Sequence, residues 1–467
     1  MRRPGLRLTG RRPGLTWALL LAAVVSITAA CGRQPKANIL VITIDTLRAD
    51  HLSSYGYPKQ TSPRMDGFAG GAVLFENVAC QSSQTLPSHA SIFIGTNPRV
   101  HKAISHESPV DAEETTLAEL LKEAGYSTGA FISSHALDSE YGLDQGFDTY
   151  WEVHKEHSYK ERRLANTEER DLTTDAALAW LNENKDSRFF LWIHWFQPHR
   201  PYNPPPAYVS AFAGAYEGSA TSEPEFIMKV WREALDLPDE DVAYLTGLYD
   251  GEVAFADAQV GRILDQLEAL GLLENTIVVI TADHGEILYE HEHYFGHDIA
   301  LYDECLMIPL IIHAPAPAGA QRRIGQLVQS LDILPTLLDL LEMDLPDYLE
   351  GKSLLPLMAG SELSTVDYCF SETFPFPEKC LPRHAVRTSD SKLIWKEEET
   401  ATITKEFYDL TLDPGETRNL YGQDPEAAAL DSVLARWIQV GGLHPARIPT
   451  ARESGRWRIL RSLGYVD

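Results

Sequence analysis

Two hydrophobic periods alternate along this chain. Residues 38–44 (NILVITI) form a nearly continuous apolar run, the pattern of a strand covered on both faces. Residues 189–196 (FFLWIHWF) and 276–281 (TIVVIT) repeat it, and 309–313 (PLIIH) is a shorter fourth strand. Between them, 115–124 (TTLAELLKEA) has helical spacing and stops at Gly125, 251–272 is a longer amphipathic helix, and 331–341 is another. Strands spaced by helices predict an α/β fold: a large, mainly parallel sheet covered by helices on both faces. Residues 197–225 are Pro-rich and read as a long loop. Beyond about residue 360 the texture changes. Residues 384–387, 392–395 and 406–410 read as short strands of a small antiparallel sheet, followed by a helix at 425–440. This predicts a large domain over 31–365 and a small C-terminal α+β subdomain over 366–467.

The first thirty residues stand apart. Arg2, Arg3, Arg7, Arg11 and Arg12 precede an apolar stretch from Leu15 to Ala30 with no acid, a signal-peptide pattern. It is short for a membrane span of about 20 apolar residues. It ends in Thr28-Ala29-Ala30-Cys31, small residues before a cysteine, similar to a bacterial lipobox. The expectation is lipidation at Cys31 and an exported lipoprotein, membrane-anchored and facing periplasm or cell exterior. The alternative is an ordinary secretory signal with Cys31 nearby by chance.

Composition narrows the partners. With 467 residues, 44% of them hydrophobic and 23% charged, the chain is neither wholly disordered nor a multi-span membrane protein. Forty Lys+Arg face 67 Asp+Glu, and removal of the five leader arginines takes the formal charge from −27 to −32. So acidic a surface repels phosphate backbones and argues against nucleic acid as a partner. The five cysteines include no CxxC pair, which argues against a disulfide scaffold and a thiolate zinc site. Cys369 and Cys380 can pair across a short loop, while Cys80 and Cys305 read as buried thiols.

Two of the strands run into acids. The first continues into Asp45, and the third into Asp283-His284-Gly285. In an open α/β sheet, ligands bind beyond the carboxyl ends of strands. Two carboxylates and an imidazole there make a hard-to-borderline divalent-metal site. The segment 84–91 (QTLPSHAS) adds a hydroxyl: Ser88 can cap a helix starting near His89, with Thr85 facing its positive end. A hydroxyl beside a metal and a helix N-terminus can become an alkoxide nucleophile.

These stretches resemble the sulfatase family of the alkaline phosphatase superfamily. The matching segments are NILVITIDTLRADHLSSYGY, TSPRMDGFAGGAVLFENVACQSSQTLPSHASIFIGTNP, FFLWIHWFQPHRPYNPP, YDGEVAFADAQVGRIL, NTIVVITADHGEILYEH, FGHDIALYDE and FYDLTLDPGETRNL, in family order from about residue 38 to 422. The resemblance implies an alkaline-phosphatase-like sandwich and one divalent ion (Ca, Mg, Mn or Zn) on Asp45, Asp283, His284 and Thr85. Thr85 falls at the nucleophile position. His199 falls where the family contacts the sulfate or phosphate group, His297 near its cationic substrate contact, and His101 after the 95–98 loop. His89 takes the place of the family's arginine, and His106 and His135 lie at spacings of looser polar contacts. Arg99, Lys102, Arg200 and Lys396 read as solvated charge, with a helper role toward the anion as the alternative. Trp192, Trp195, Tyr202 and Tyr294 read equally as core or as pocket lining.

Two departures change the expected chemistry. The family nucleophile is a formylglycine made from Cys or Ser, and threonine cannot be converted to it. An adduct on unmodified Thr85 must be released by attack at sulfur or phosphorus, which favours phosphate or phosphonate esters over sulfate esters. Thr46 stands where many sulfatases carry a second Asp, so the shell is less calcium-like. The expectation is a metal-dependent hydrolase of small anionic esters. The alternatives are a phosphoryl-group transferase on envelope glycans or lipids and a non-catalytic binding protein on the same scaffold.

Overall fold

The computed structural model describes Met1 and residues 37–105, 108–291, 293–315, 322–362, 366–374, 381–398, 400 and 402–440. The leader with Cys31, as well as His106 and Cys380, lies outside the described residues.

In chain order the strands are β1 (Asn38–Ile44), β2 (Val73–Ala79), β3 (Ser127–Ile132), β4 (Thr149–Glu152), β5 (Phe189–Trp195), β6 (Thr276–Ala282), the two-residue pieces β7 (Ile287–Leu288) and β8 (Phe295–Gly296), β9 (Leu310–His313), β10 (Arg322–Gln329), and then β11 (Cys369–Thr373), β12 (Arg383–Arg387), β13 (Ser391–Glu397) and β14 (Ile403–Asp409). The main sheet has eight strands in the order β10-β2-β9-β6-β1-β5-β3-β4. Every pairing in it is parallel except the two made by β9.

β1, β5 and β6 are buried along their whole lengths, which is why their sequences carry no polar alternation. Each fully buried Val, Leu or Ile contributes about 1.5–3 kcal/mol relative to exposure, so this central trio carries much of the burial that stabilises the sheet. The expected strands and helices are present, with two differences. The strand expected at 309–313 runs against its neighbours. The helix expected at 251–272 spans Asp239–Ala269 and opens on three acids, Asp239, Glu240 and Asp241. Tyr249 on this helix accepts from the Arg48 amide and donates to the Thr46 carbonyl, fixing the turn after β1.

The C-terminal strands form the expected antiparallel sheet, β11-β12-β13-β14, backed by helix Glu426–Val440. β11 also hydrogen-bonds back to the main body, and the described residues from Ala37 onward form one compact unit. Cys80 and Cys305 are buried free thiols as expected, and so is Cys369. Among the described residues no helix is long and apolar enough to cross a membrane.

Candidate active site

The register of the sheet assembles the centre of the site. Ile44 and Ala282 are partners on the neighbouring parallel strands β1 and β6. Asp45 and Asp283, one residue further on, therefore leave the sheet side by side. The Asp45 amide donates to the Trp195 carbonyl and extends the ladder to β5. Thr46 turns sharply with φ +55°. Its amide donates to Asp283 Oδ1 at 3.2 Å, and the His284 amide donates to the same oxygen at 2.8 Å. Gly285 is required by space: a Cβ there would sit 2.0 Å from the Glu304 carbonyl oxygen.

His284 Nδ1 donates to the Gly285 carbonyl at 3.0 Å, leaving Nε2 with its lone pair. That nitrogen lies 3.3 Å from Asp283 Oδ2, 4.0 Å from Asp45 Oδ1 and 3.4 Å from Thr85 Oγ1. All are fully or nearly fully buried. Both Asp45 oxygens and Asp283 Oδ2 find no hydrogen-bond donor among the described residues. Burial, then the neighbouring Asp283, pushes the Asp45 carboxyl well above the usual range. Buried carboxylate oxygens without donors cost several kcal/mol unless a cation compensates them. Two carboxylates, an imidazole lone pair and a hydroxyl fit a divalent ion, and the orphaned oxygens are the observation that supports the fit.

The helix carrying Thr85 differs from expectation. It spans Thr85–Ile94, capped by Gln84 rather than Ser88, and ends at Gly95 with φ +77°. Thr85 is therefore itself the first helical residue, at the end where unpaired amides and the macrodipole favour an anion. Ser88 lies inside the helix, and its hydroxyl donates to the Asp283 carbonyl at 2.6 Å, tying the helix to the end of β6.

Among the histidines assigned to substrate, His199 and His297 do meet at this centre. Their Nε2 atoms are 3.0 Å apart, and the His297 ring lies 4.3 Å from that of His284. His297 Nδ1 donates to the Ser83 carbonyl at 2.8 Å and His199 Nδ1 to the Arg200 carbonyl. With both Nδ1 atoms acting as donors, a proton between the facing Nε2 atoms would make one ring an imidazolium, and burial, then His297, push His199 well below the usual imidazole range.

Three other residues are placed differently. His89 is fully buried beneath Thr85. Its Nδ1 donates to the Thr85 carbonyl at 2.8 Å, and its Nε2 accepts from Thr43 Oγ1, which accepts in turn from the Trp192 indole. It thus braces the helix start rather than replacing an arginine at the substrate; burial pushes it down to about 3, a neutral imidazole. His101 uses both ring nitrogens locally, on Ser91 Oγ and the Ala103 amide. His135 lies beside Asp138 and His154 at the ends of β3 and β4. Position 106 cannot be placed, being outside the described residues.

Three of the four cations read as solvated charge are not. Arg99 is 4% exposed, bonded to Glu372 and stacked 3.4 Å from the Trp437 ring centre. Arg200 is 2% exposed, and its Nη2 donates to the Tyr294 hydroxyl. Lys396 is buried against Tyr302 and Glu406. Lys102 alone is exposed. Trp192 and Trp195 belong to the core, and Tyr202 donates to Glu286 at 2.8 Å.

His194 had escaped notice. It pairs in register with Thr43 and places Nε2 3.6 Å from Asp45 Oδ2; burial holds it down to about 4. The signal was a lone histidine in an otherwise apolar run.

Comparison with known proteins places the chain in a family. Residues 37–343 match the sulfatase family model, and residues 290–440 match the model described as N-sulphoglucosamine sulphohydrolase, C-terminal. An N-acetylglucosamine-6-O-sulfatase of Bacteroides thetaiotaomicron is 26% identical, covering 87% of each chain. A multifunctional alkaline phosphatase superfamily protein, PehA, of Trinickia caryophylli is 25% identical over 85% of this chain and 93% of its own. The phosphonate monoester hydrolase of Silicibacter pomeroyi shares the fold, with a TM-score of 0.70 at 23% identity over 86% of this chain and 95% of its own. The chain belongs to the sulfatase family of hydrolases, within the alkaline phosphatase superfamily.

Proposed function

We propose that this protein hydrolyses phosphate or phosphonate esters through Thr85, with a divalent ion held by Asp45, Asp283, His284 and Thr85. The observation that carries the reading is the Thr85 hydroxyl, unmodified, at a helix N-terminus and 3.4 Å from His284 Nε2, beside the donorless oxygens of Asp45 and Asp283. An ion held by Asp45, Asp283, His284 and Thr85 would supply Lewis acidity there. Thr85 Oγ1, its proton released to solvent, forms the new bond to phosphorus as the bond from phosphorus to the ester oxygen breaks. The helix amides and the His199–His297 pair face the charge on the remaining oxygens. A proton taken up on Nε2 of that pair would serve the departing oxygen. Water then cleaves the threonine adduct and restores the hydroxyl.

His101 drops out as a proton donor because both its nitrogens are engaged elsewhere. Sulfate esters are the second reading, supported by relatives named sulfatases. The test assays aryl sulfate, phosphate monoester, phosphate diester and phosphonate side by side with the metal varied, for the wild type and Thr85→Ala. Higher kcat/KM on phosphorus esters and a loss of at least about 10⁴-fold in Thr85→Ala are expected, from the usual effect of deleting a nucleophile. Turnover of sulfate esters alone, or wild-type-like rates in the variant, would overturn the reading.

A further inference from the structure

A second cluster with ligand chemistry lies outside the reaction centre. Ile132 and Glu152 are register partners at the ends of the parallel strands β3 and β4. His135 and Asp138 follow the first strand, and His154 follows the second. The arrangement repeats, at the sheet edge, the way β1 and β6 deliver Asp45 and Asp283. One ligand atom each from His135, Asp138 and His154 lie within 4.8 Å of one another.

Both histidines face the Asp138 carboxylate at ion-pair distances and, against burial, hold it below the usual carboxylate range. His154 Nε2 is 2.7 Å from Asp138 Oδ1, yet neither atom makes a hydrogen bond of acceptable angle. His135 Nδ1 is 3.7 Å from Asp138 Oδ2, and the two imidazole rings are 3.6 Å apart. A tetrahedral ion with ligands at about 2.0–2.1 Å spaces them by about 3.3 Å, between these two distances. The His154 side chain is only 6% exposed, and both its ring nitrogens lack hydrogen-bond partners among the described residues. The backbone around the cluster is held in place: the Ser139 amide donates to Glu152 Oε1 at 2.7 Å and the Tyr150 hydroxyl to the Leu137 carbonyl at 2.7 Å. His135 and Asp138 are 18% and 14% exposed, which leaves room for water to complete the shell.

We propose that His135, Asp138 and His154 form a second cation site for a borderline transition ion of the Zn²⁺ type. Two imidazoles against one carboxylate favour such an ion over Ca²⁺ or Mg²⁺, which prefer all-oxygen shells. It ties the loop after β3 to the short helix after β4.

The test strips the untagged full-length protein with chelator, reloads it with Zn²⁺ and counts bound zinc by mass spectrometry for the wild type, His154→Gln and Asp45→Asn. Loss of one equivalent in His154→Gln is expected, with Asp45→Asn keeping at least one. Equal uptake by wild type and His154→Gln would overturn the proposal. If His154→Gln does not fold, Asp45→Asn decides: no bound zinc there also overturns it. Should the reaction-centre assignment fail instead, the wild type binds one equivalent, Asp45→Asn keeps it and His154→Gln loses it.

Discussion

Replacing Asp45 with Asn separates stability from function at the reaction centre. Ligand atoms of Asp45 and Asp283 lie within 4.8 Å of each other. At an effective dielectric constant of about 20, two unit charges at that distance repel by about 3.5 kcal/mol. Proton uptake by Asp45, raised by burial and then by Asp283, relieves part of this. About 2 kcal/mol is then gained when a neutral amide replaces the acid in metal-free protein. Unfolding entropy of about 2.1 cal/mol/K per residue, over the roughly 380 described residues from Ala37 onward, converts this to a rise of about 2.5 °C in Tm. In metal the order reverses. An ion at 100 times its Kd adds about 2.7 kcal/mol to the wild type, about 3 °C by the same conversion. The variant gains little of this and loses turnover. The assay is thermal unfolding with chelator and with added Mn²⁺, Zn²⁺ or Ca²⁺. A metal-free variant melting below the wild type, or one that keeps the full shift with metal, would refute the reasoning.

Three other outcomes follow from the geometry. Gly285→Ala forces a Cβ toward the Glu304 carbonyl oxygen and should cost at least about 2 kcal/mol while weakening metal uptake, read by urea unfolding and metal titration. Glu372 is fully buried; burial alone would raise its carboxyl, but His384 and Arg99 outweigh this and hold it below the usual range. Its contribution is therefore present above the unfolded value of about 4.3 and lost as pH falls through the folded one. Glu372→Gln should lose about 3 kcal/mol at pH 7 and show a shallower fall in urea midpoint than the wild type below pH 4.3. Cys31→Ser should move the protein from the membrane to the soluble fraction and abolish labelling by a radioactive fatty acid; unchanged fractionation would count against lipidation.

How far the sequence could be read depended on how strongly burial writes itself into a segment. β1, β5 and β6 are covered on both faces, so their apolar runs were plain. β2 and β10 each mix buried with exposed or half-exposed positions, and β4 is only four residues long and largely half-buried, so none had a run to read. β3, although mostly buried, is STGAFI, with small and polar residues in place of a branched apolar run. The reversed direction of β9 leaves no local mark, because pairing direction is a property of the sheet. Asp45, Asp283 and His284 were legible because each directly follows a readable strand. Ser88 misled because a Pro-Ser pair resembles a helix start, whereas Gln84 caps the helix with no side-chain bond. His154 stayed hidden because nothing in the sequence brings it to His135; only the pairing of β3 with β4 does.

The loop that ends at Thr85 is finished by a strand nearly three hundred residues later. β11 bonds to it through the Ser371 hydroxyl on the Cys80 carbonyl and the Glu372 amide on the Gln81 carbonyl, and just beyond it the Phe374 backbone exchanges two bonds with the Gln84 side chain. A growing polypeptide can build the central strands early, yet the Gln84 side chain, next to Thr85, lacks these two bonds until Phe374 has been made. Chemical competence therefore comes late in synthesis, and a prematurely terminated product would keep its acids and lose its aim.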